Sequence, residues 1–216
     1  QLKAFEDAET AKAVVKNTDT PIWDTLRAHY PYGTMPQEKI DCVENTVKQL
    51  LEEGEHADEP GLLLGKIQCG KTDTFEDIIG LSFDKGVDIA IVITKGTKAL
   101  VNQTIMRMKK DYKWFKASDS LDQRATINIY DIMDIGRAGL KQAKVESGKT
   151  VIVCKKQAQN LARLIELFET KSPFLKKKKV IIVDDEADFA SRNYQNVKLE
   201  AKKDEDGNPL AQTTEV

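Results

Sequence analysis

Histidine and cysteine are scarce in this chain, which has two histidines and three cysteines among 216 residues. His29 and His56 are too few and too isolated to predict a histidine-rich zinc site or a Ser-His-Asp hydrolase. The cysteines Cys42, Cys69 and Cys154 are odd in number and lack the C-x-x-C spacing of metal sites. They therefore indicate reduced thiols in a reducing compartment.

Long apolar runs and a charge excess are also missing. No apolar run approaches the roughly 20 residues that a membrane-spanning helix needs, and residues 1–17 are too polar for a secretory signal. We therefore expect a cytoplasmic protein with no membrane partner. The formal net charge of −2 does not indicate nucleic-acid binding by itself. Positive charge is local, in a stretch over residues 107–116 and in a lysine run over residues 176–179.

What the chain does contain is an alternation of apolar runs and amphipathic stretches, which is typical of a parallel sheet covered by helices on both faces. The strands are predicted at residues 62–64, 89–94, 127–130, 151–154 and 180–183. The helices are predicted at residues 37–53, 74–85, 98–110 and 157–169. The sequence thus predicts a doubly wound, mainly parallel α/β domain over residues 36–216, preceded by a helical appendage over residues 1–35.

The run that follows the first predicted strand, Gly65-Lys66-Ile67-Gln68-Cys69-Gly70-Lys71-Thr72, matches the phosphate-loop pattern G-x-x-x-x-G-K-[ST] without a mismatch. Gly65 and Gly70 allow the tight turn that directs successive backbone N–H groups at phosphate oxygens. The start of the next helix favours negative charge. In this motif Lys71 reaches the β- and γ-phosphates, and the hydroxyl of Thr72 binds magnesium.

A second motif, Asp185-Glu186-Ala187-Asp188, follows the apolar run at residues 180–183. It places a carboxylate for magnesium, Asp185, beside a candidate base, Glu186. Ligands of open α/β sheets bind outside the carboxyl ends of the strands, and both motifs fall at that end. Together the two motifs predict that the chain binds a nucleoside triphosphate with magnesium.

With both motifs placed, residues 36–192 resemble the first RecA-like domain of superfamily-two helicases and translocases of the DEAD/DEAH-box kind. A weaker match is the run Gly96-Thr97-Lys98-Ala99-Leu100-Val101-Asn102-Gln103, which is similar to the family's P-T-R-E-L-A-x-Q and has Lys98 in the arginine position. In that family the segment contacts the nucleic-acid backbone. The resemblance therefore implies such contacts for Thr97, Lys98 and Gln103, and a plain helix start is the open alternative.

The resemblance also implies roles for single residues. Asp185 would hold magnesium, and Glu186 would orient and deprotonate the attacking water. Gln37 would correspond to a glutamine that reads adenine, whereas Lys155 and Lys156 occupy the place of another motif that contacts the nucleic-acid backbone. The predicted catalytic residues are thus Lys71, Asp185 and Glu186, the metal ligands are Thr72 and Asp185, and the nucleotide-binding residues are Gly65, Gln68, Cys69, Gly70, Lys71, Thr72 and Gln37.

The function implied by the resemblance is that of the ATP-binding half of an ATP-dependent helicase or translocase, with ATP and magnesium as cofactors and DNA rather than RNA as the expected polymer. The loop G-K-x-Q-x-G-K-T and the run I-I-V-D-D-E-A-D look like motors associated with restriction or defence nucleases. We expect the chain to stop before a second RecA-like domain, whose arginines can contribute about 10³- to 10⁵-fold in rate. Hydrolysis by the chain alone is therefore expected to be weak.

Two other functions stay open at the level of sequence. A phosphate loop also occurs in kinases of small molecules, which need arginines near the phosphates, and arginine is sparse here. A domain that binds nucleotide without hydrolysing it, to stabilise a surface for a partner, is the second alternative. The intact Lys71, Thr72, Asp185 and Glu186 favour a hydrolase over this second alternative.

Overall fold

The structure is a computed structural model that describes residues 18–53, 71–95, 97–115 and 126–185. It divides the chain into one unit over Gln1–Asp185 and another over Glu186–Val216, and the described residues all lie in the first. The predicted strand at 62–64, the loop residues Gly65, Gln68, Cys69 and Gly70, and the candidate base Glu186 lie outside the described ranges. Within those ranges, no helix is long and apolar enough to cross a membrane.

Seven α-helices and four strands make up the described part of the chain. The strands are β1 (Ile89–Thr94), β2 (Ile127–Asp131), β3 (Lys149–Lys155) and β4 (Val180–Asp184). The helices are α1 (Pro21–Ala28), α2 (Gln37–Lys48), α3 (Lys71–Asp84), α4 (Lys98–Asp111), α5 (Ile132–Ile135), α6 (Gln142–Glu146) and α7 (Ala158–Glu166). Helix α2 continues into a π-helical turn over Gln49–Glu53, and α7 continues into another over Leu167–Lys171.

The strands form a parallel sheet in the order β2-β3-β1-β4. This confirms the strands predicted at residues 89–94, 127–130, 151–154 and 180–183. Strand β1 lies between β3 and β4, and the run from Ile89 to Val92 is buried. A strand that is apolar on both of its faces must be covered on both, which is why the run of apolar residues predicts an inner strand of a parallel sheet.

Helices cover both faces of the sheet, so the protein is a mixed α/β structure. On one face Phe75, Ile79 and Phe83 of α3, together with residues of α4, pack on Ala90 and Val92 of β1. The other face packs against α5, α6 and the segment after α7, through side chains that include Ile91, Ile132, Ile135, Val145, Ile152, Leu167 and Leu175. The sheet is therefore the middle layer of three.

Helix α3 is buried on its outer side as well, because α1 and α2 pack against it. Ile78 and Leu81 of α3 share a cluster with Trp23 of α1 and with Val43 and Val47 of α2. The approach of α1 is close: a Cβ atom on Gly80 would lie 2.6 Å from Leu26 Cδ1. Helix α3, which follows the predicted phosphate loop, is therefore enclosed between the sheet and α1 with α2.

Asp84, the last residue of α3, fixes the start of α1. Its carboxylate accepts hydrogen bonds from the backbone N–H groups of Ile22 and Trp23, at 3.2 and 2.8 Å. Helix starts leave such N–H groups without intrahelical partners, so an acidic side chain placed there satisfies them. Gly86 follows with a φ of 97°, a conformation that glycine adopts without steric cost, and ends the helix.

Two features of the fold differ from the sequence prediction. The short helices α5 and α6 were not predicted, because four or five residues are too few to show a helical period. The Asp131 side chain caps the start of α5, because it accepts a hydrogen bond from the backbone N–H of Met133, at 2.8 Å. The expectation that the strand at residues 180–183 is covered on both faces was wrong for part of β4. Val180 is 37% exposed and Ile182 is 61% exposed, because successive side chains of a strand point to opposite faces and it is Ile181 and Val183 that pack against the core.

Candidate nucleotide-binding site

The predicted phosphate loop leads directly into an observed helix. Helix α3 begins at Lys71, so Lys71 and Thr72 are its first two residues. The first backbone N–H groups of a helix lack intrahelical acceptors and carry partial positive charge, which makes a helix start suitable for an anion. The helix that the motif requires after its loop is therefore present, and the roles of the two side chains stay predictions.

The predicted magnesium ligand Asp185 stands directly after β4. Its backbone N–H donates to the carbonyl oxygen of Ile93 in β1, at 2.8 Å, and this bond continues the parallel pairing of β4 with β1. Asp185 is therefore held at the carboxyl edge of the sheet, at the end of two adjacent strands. That is the edge where ligands of open α/β sheets bind.

Two lysines predicted to contact nucleic acid lie at the same edge. Lys155 is the last residue of β3, and the backbone N–H of Lys156 donates to the carbonyl oxygen of Thr94 in β1, at 2.8 Å. The ammonium of Lys156 lies 2.8 Å from Asp184 Oδ2, and its side chain is only 14% exposed. The structure thus places Lys155, Lys156 and Asp185 at the same edge of the sheet, and it pairs the Lys156 ammonium with the Asp184 carboxylate.

The weaker motif occupies the start of α4. Thr97 caps this helix, because its hydroxyl accepts a hydrogen bond from the backbone N–H of Leu100, at 3.3 Å. Lys98 and Gln103 are exposed, whereas Val101 and Met108 of the same helix are buried. The plain helix-start interpretation therefore accounts for Thr97, and contact of Lys98 and Gln103 with nucleic acid stays a prediction.

Gln37, the predicted adenine-reading residue, begins α2. Its side-chain amide donates to Asp41 Oδ1, at 2.8 Å, on an exposed surface. Upstream of it, the rings of Tyr30 and Tyr32 meet edge to face with their centroids 5.6 Å apart, and Tyr32 is largely exposed. Since α2 packs against α3, Gln37 belongs to the layer that covers α3.

A group of charged side chains between α3 and α4 was not singled out from the sequence. Arg107 of α4 donates a hydrogen bond to Asp73, in the first turn of α3. The guanidinium also lies near two further carboxyl groups, with Nε 3.7 Å from Glu76 Oε1 and 3.9 Å from Asp111 Oδ2. The hydroxyl of Tyr112 donates to the backbone carbonyl of Glu76, at 2.6 Å. We call Asp73, Glu76, Arg107 and Asp111 the Arg107 cluster.

Glu76 is only 2% exposed, and this burial determines the charge of its side chain. Desolvation, with the neighbouring Asp111 and Asp73 carboxyl groups, raises the pKa of Glu76 to about 10, although Arg107 lowers it. Glu76 is therefore neutral at physiological pH. Three acidic residues at positions 73, 76 and 77, in a helix that also carries the apolar Phe75, Ile78 and Ile79, were the signal in the sequence for such a group.

Asp77 takes part in a separate ion pair that joins α3 to α2. The ammonium of Lys39 lies 2.7 Å from Asp77 Oδ2 and 4.8 Å from the centre of the Tyr30 ring. Burial raises the pKa of Asp77 to about 6, and the Lys39 ammonium opposes this by lowering it. Both helices that cover α3 are thus connected to it by polar contacts as well as by apolar packing.

The available oxygen ligands fit magnesium. This ion usually binds through one or two carboxylates together with substrate phosphates and water, and the predicted ligands Asp185 and Thr72 are a carboxylate and a hydroxyl of this kind. Within the described ranges, no three His, Cys, Asp or Glu side chains are grouped so as to hold a metal ion. The predicted donor set, one carboxylate and one hydroxyl, is of the kind that binds magnesium together with a nucleotide.

Comparison with family models, with curated proteins and with solved structures returned no match to this chain. The motifs, the sheet topology and the contacts described above therefore carry the functional argument.

The buried Glu76 carboxyl gives a prediction for stability against pH. Because its pKa is raised on folding, it stabilises the native state fully below the unfolded value near 4.5, and this contribution is lost as the pH rises toward about 10. Glu76→Gln keeps a neutral group that can donate to Asp111. We compare the free energy of unfolding of Glu76→Gln with that of the wild type at each pH. We expect the difference, variant minus wild type, to be larger at pH 8 than at pH 5 by about 1–3 kcal/mol.

Urea unfolding at the two pH values measures this difference. The matched control is Glu38→Gln, which removes the same charge from an exposed position in the first turn of α2. An unchanged pH dependence in Glu76→Gln would show that Glu76 is not the neutral buried group described here.

Proposed function

We propose that the chain is the ATP-binding half of an ATP-dependent helicase or translocase, with a RecA-like arrangement of its parallel sheet. Two observations carry the proposal: the phosphate-loop sequence runs into the helix that begins at Lys71, and the acidic run follows β4, which pairs with β1. A helix start is suited to phosphate, and the carboxyl edge of a parallel sheet is where α/β proteins bind ligands.

The proposed chemistry is phosphoryl transfer from ATP to water. Lys71 would contact the β- and γ-phosphates, and Thr72 and Asp185 would hold magnesium. The ion would neutralise charge on the phosphates. Glu186 would orient the attacking water and take its proton, a role that requires a carboxylate beside the metal ligand.

The proposed partner is nucleic acid, with DNA as the expected polymer. Lys98 and Gln103 support this because both are exposed on α4, and Lys155 supports it because it lies at the carboxyl edge of the sheet. Lys156 supports it less, since its ammonium is paired with Asp184. The proposal also includes a second RecA-like domain that completes the catalytic site, an associated nuclease and a cytoplasmic location.

Stimulation of ATP hydrolysis by a polymer tests this function. We expect duplex DNA, single-stranded DNA or RNA to raise the rate of hydrolysis, measured with the chain and with a form that includes a second RecA-like domain. Glu186→Gln should lower the stimulated rate by about 10²- to 10⁴-fold, the usual contribution of a general base, and should still bind ATP.

Glu146→Gln is the matched control for this experiment, because it removes a carboxylate from the exposed surface of α6. It should hydrolyse ATP like the wild type. If no polymer stimulates hydrolysis in either form of the protein, the helicase or translocase proposal fails.

A further inference from the structure

Arg107 connects the second half of α4 to the first turn of α3. Its Nη2 atom donates to Asp73, and Asp73 is the residue directly after Thr72. Both side chains are partly buried, with 38% of the Arg107 side chain and 28% of the Asp73 side chain exposed. A contact of this kind is screened by solvent less than a fully exposed ion pair.

The charges in the Arg107 cluster indicate which carboxylate Arg107 neutralises. Glu76 is buried and neutral at physiological pH, so it does not use the positive charge of Arg107. Asp111 lies farther away, with Oδ2 3.9 Å from Nε. Asp73 is the direct hydrogen-bond partner, and Arg107 is the one basic side chain within ion-pair distance of it among the described residues.

An unneutralised Asp73 would oppose the binding of an anion at the start of α3. Side chains on a helix lean toward its N-terminus, so the Asp73 carboxylate is directed toward the end where the phosphate loop joins the helix. A negative charge there favours the helix itself but repels a phosphate group brought to the same place. The repulsion grows with the charge of the ligand.

We propose that Arg107 is a positioning residue of the nucleotide site, which neutralises Asp73 and fixes the first turn of α3 so that Lys71 and Thr72 meet a polyphosphate. This inference rests on the proposed function, because it assigns the phosphate-loop site to a nucleoside triphosphate. Arg107 acts through Asp73 and does not itself contact the ligand.

Affinities for ATP, ADP and AMP, measured with magnesium by calorimetry, test the inference. Arg107→Gln should weaken ATP binding by about 3- to 10-fold, the size expected for one partly screened charge at a distance of several ångströms. The loss should be smaller for ADP and below about 2-fold for AMP, because the repulsion depends on ligand charge. A general loss of the folded state would instead weaken the three ligands by the same factor.

Two further variants sharpen the test. Asp73→Asn in the Arg107→Gln background removes the uncompensated carboxylate, and we expect it to restore ATP affinity to within about 2-fold of the wild type. Lys109→Gln removes the same charge from an exposed position on α4 and should leave the affinities unchanged. Thermal unfolding of each variant establishes that it is folded.

The outcomes separate this inference from the function on which it rests. An equal loss for ATP, ADP and AMP in Arg107→Gln, or no recovery in the double variant, would overturn the role of Arg107 alone. Wild-type affinity in Arg107→Gln would do the same. Failure of the wild-type chain to bind ATP would overturn both the inference and the proposed function.

Discussion

Lys71→Ala is expected to weaken ATP binding by about 100-fold or more, which is the size of effect seen when one partner of a desolvated, charge-assisted contact is removed. Lys71 is the lysine of the phosphate-loop pattern and the first residue of α3. Its ammonium would meet the two phosphates that carry most of the ligand's charge. Alanine is a good helix former, so the start of α3 should persist in the variant.

The measurement is the affinity of wild type and variant for ATP in the presence of magnesium. Lys85→Ala is the matched control, because Lys85 is exposed just after the other end of the same helix. The control should bind ATP within about 2-fold of the wild type, since surface substitutions away from a site have small effects. Equal affinities in the wild type and Lys71→Ala would show that the phosphate-loop pattern is not used for binding.

Trp23→Ala should destabilise the protein by about 3–5 kcal/mol, the range measured when a buried aromatic side chain is replaced by alanine. Trp23 is 2% exposed and packs in the cluster that joins α1, α2 and α3. Its indole N–H donates to Glu44 Oε1, at 3.2 Å. The substitution therefore removes apolar contacts on the outer side of α3 and leaves a cavity there.

Urea unfolding of wild type, Trp23→Ala and Trp23→Phe measures this effect. Trp23→Phe keeps most of the apolar area and removes the hydrogen bond to Glu44, so we expect it to cost about 1–2 kcal/mol. A free energy of unfolding in Trp23→Ala close to that of the wild type would mean that α1 does not stabilise α3. The outer layer would then be an appendage without a structural role.

The strands and the long helices of this protein were predictable because their signals are local. Strand β1 is a continuous apolar run, and such a run with a helical period after it indicates a parallel strand and its crossover. The two halves of the candidate site were predictable for the same reason. A phosphate loop needs a helix start directly after it, and the structure begins α3 at Lys71; the acidic run needs a strand before it, and β4 ends at Asp184.

The pairs that hold these elements together could not be read from the sequence. Arg107 and Asp73 are separated by 34 residues, and Lys156 and Asp184 are separated by 28. Such contacts depend on how helices and strands are placed in three dimensions, and a single sequence has no periodicity that reports them. For the same reason, Lys156 was predicted only as a nucleic-acid contact, and its ion pair with Asp184 became visible only in the structure.

The burial of α3 on all sides was also hard to predict. Its sequence mixes apolar residues with Asp73, Glu76, Asp77 and Asp84. Such a mixture is typical of a helix with one solvent-exposed face. In the structure each of these carboxyl groups either has a polar partner or is neutral. Asp73 meets Arg107, Asp77 meets Lys39, Asp84 accepts from the start of α1, and Glu76 becomes neutral.

A calorimetric titration of the wild-type chain with ATP, with and without magnesium, tests whether the predicted phosphate loop binds nucleotide. We expect saturable binding of one ATP per chain, stronger with magnesium than without it and weakened by Lys71→Ala. Absence of saturable binding by the folded chain, or binding that Lys71→Ala leaves unchanged, would contradict the assignment of the phosphate loop and with it the proposed motor function.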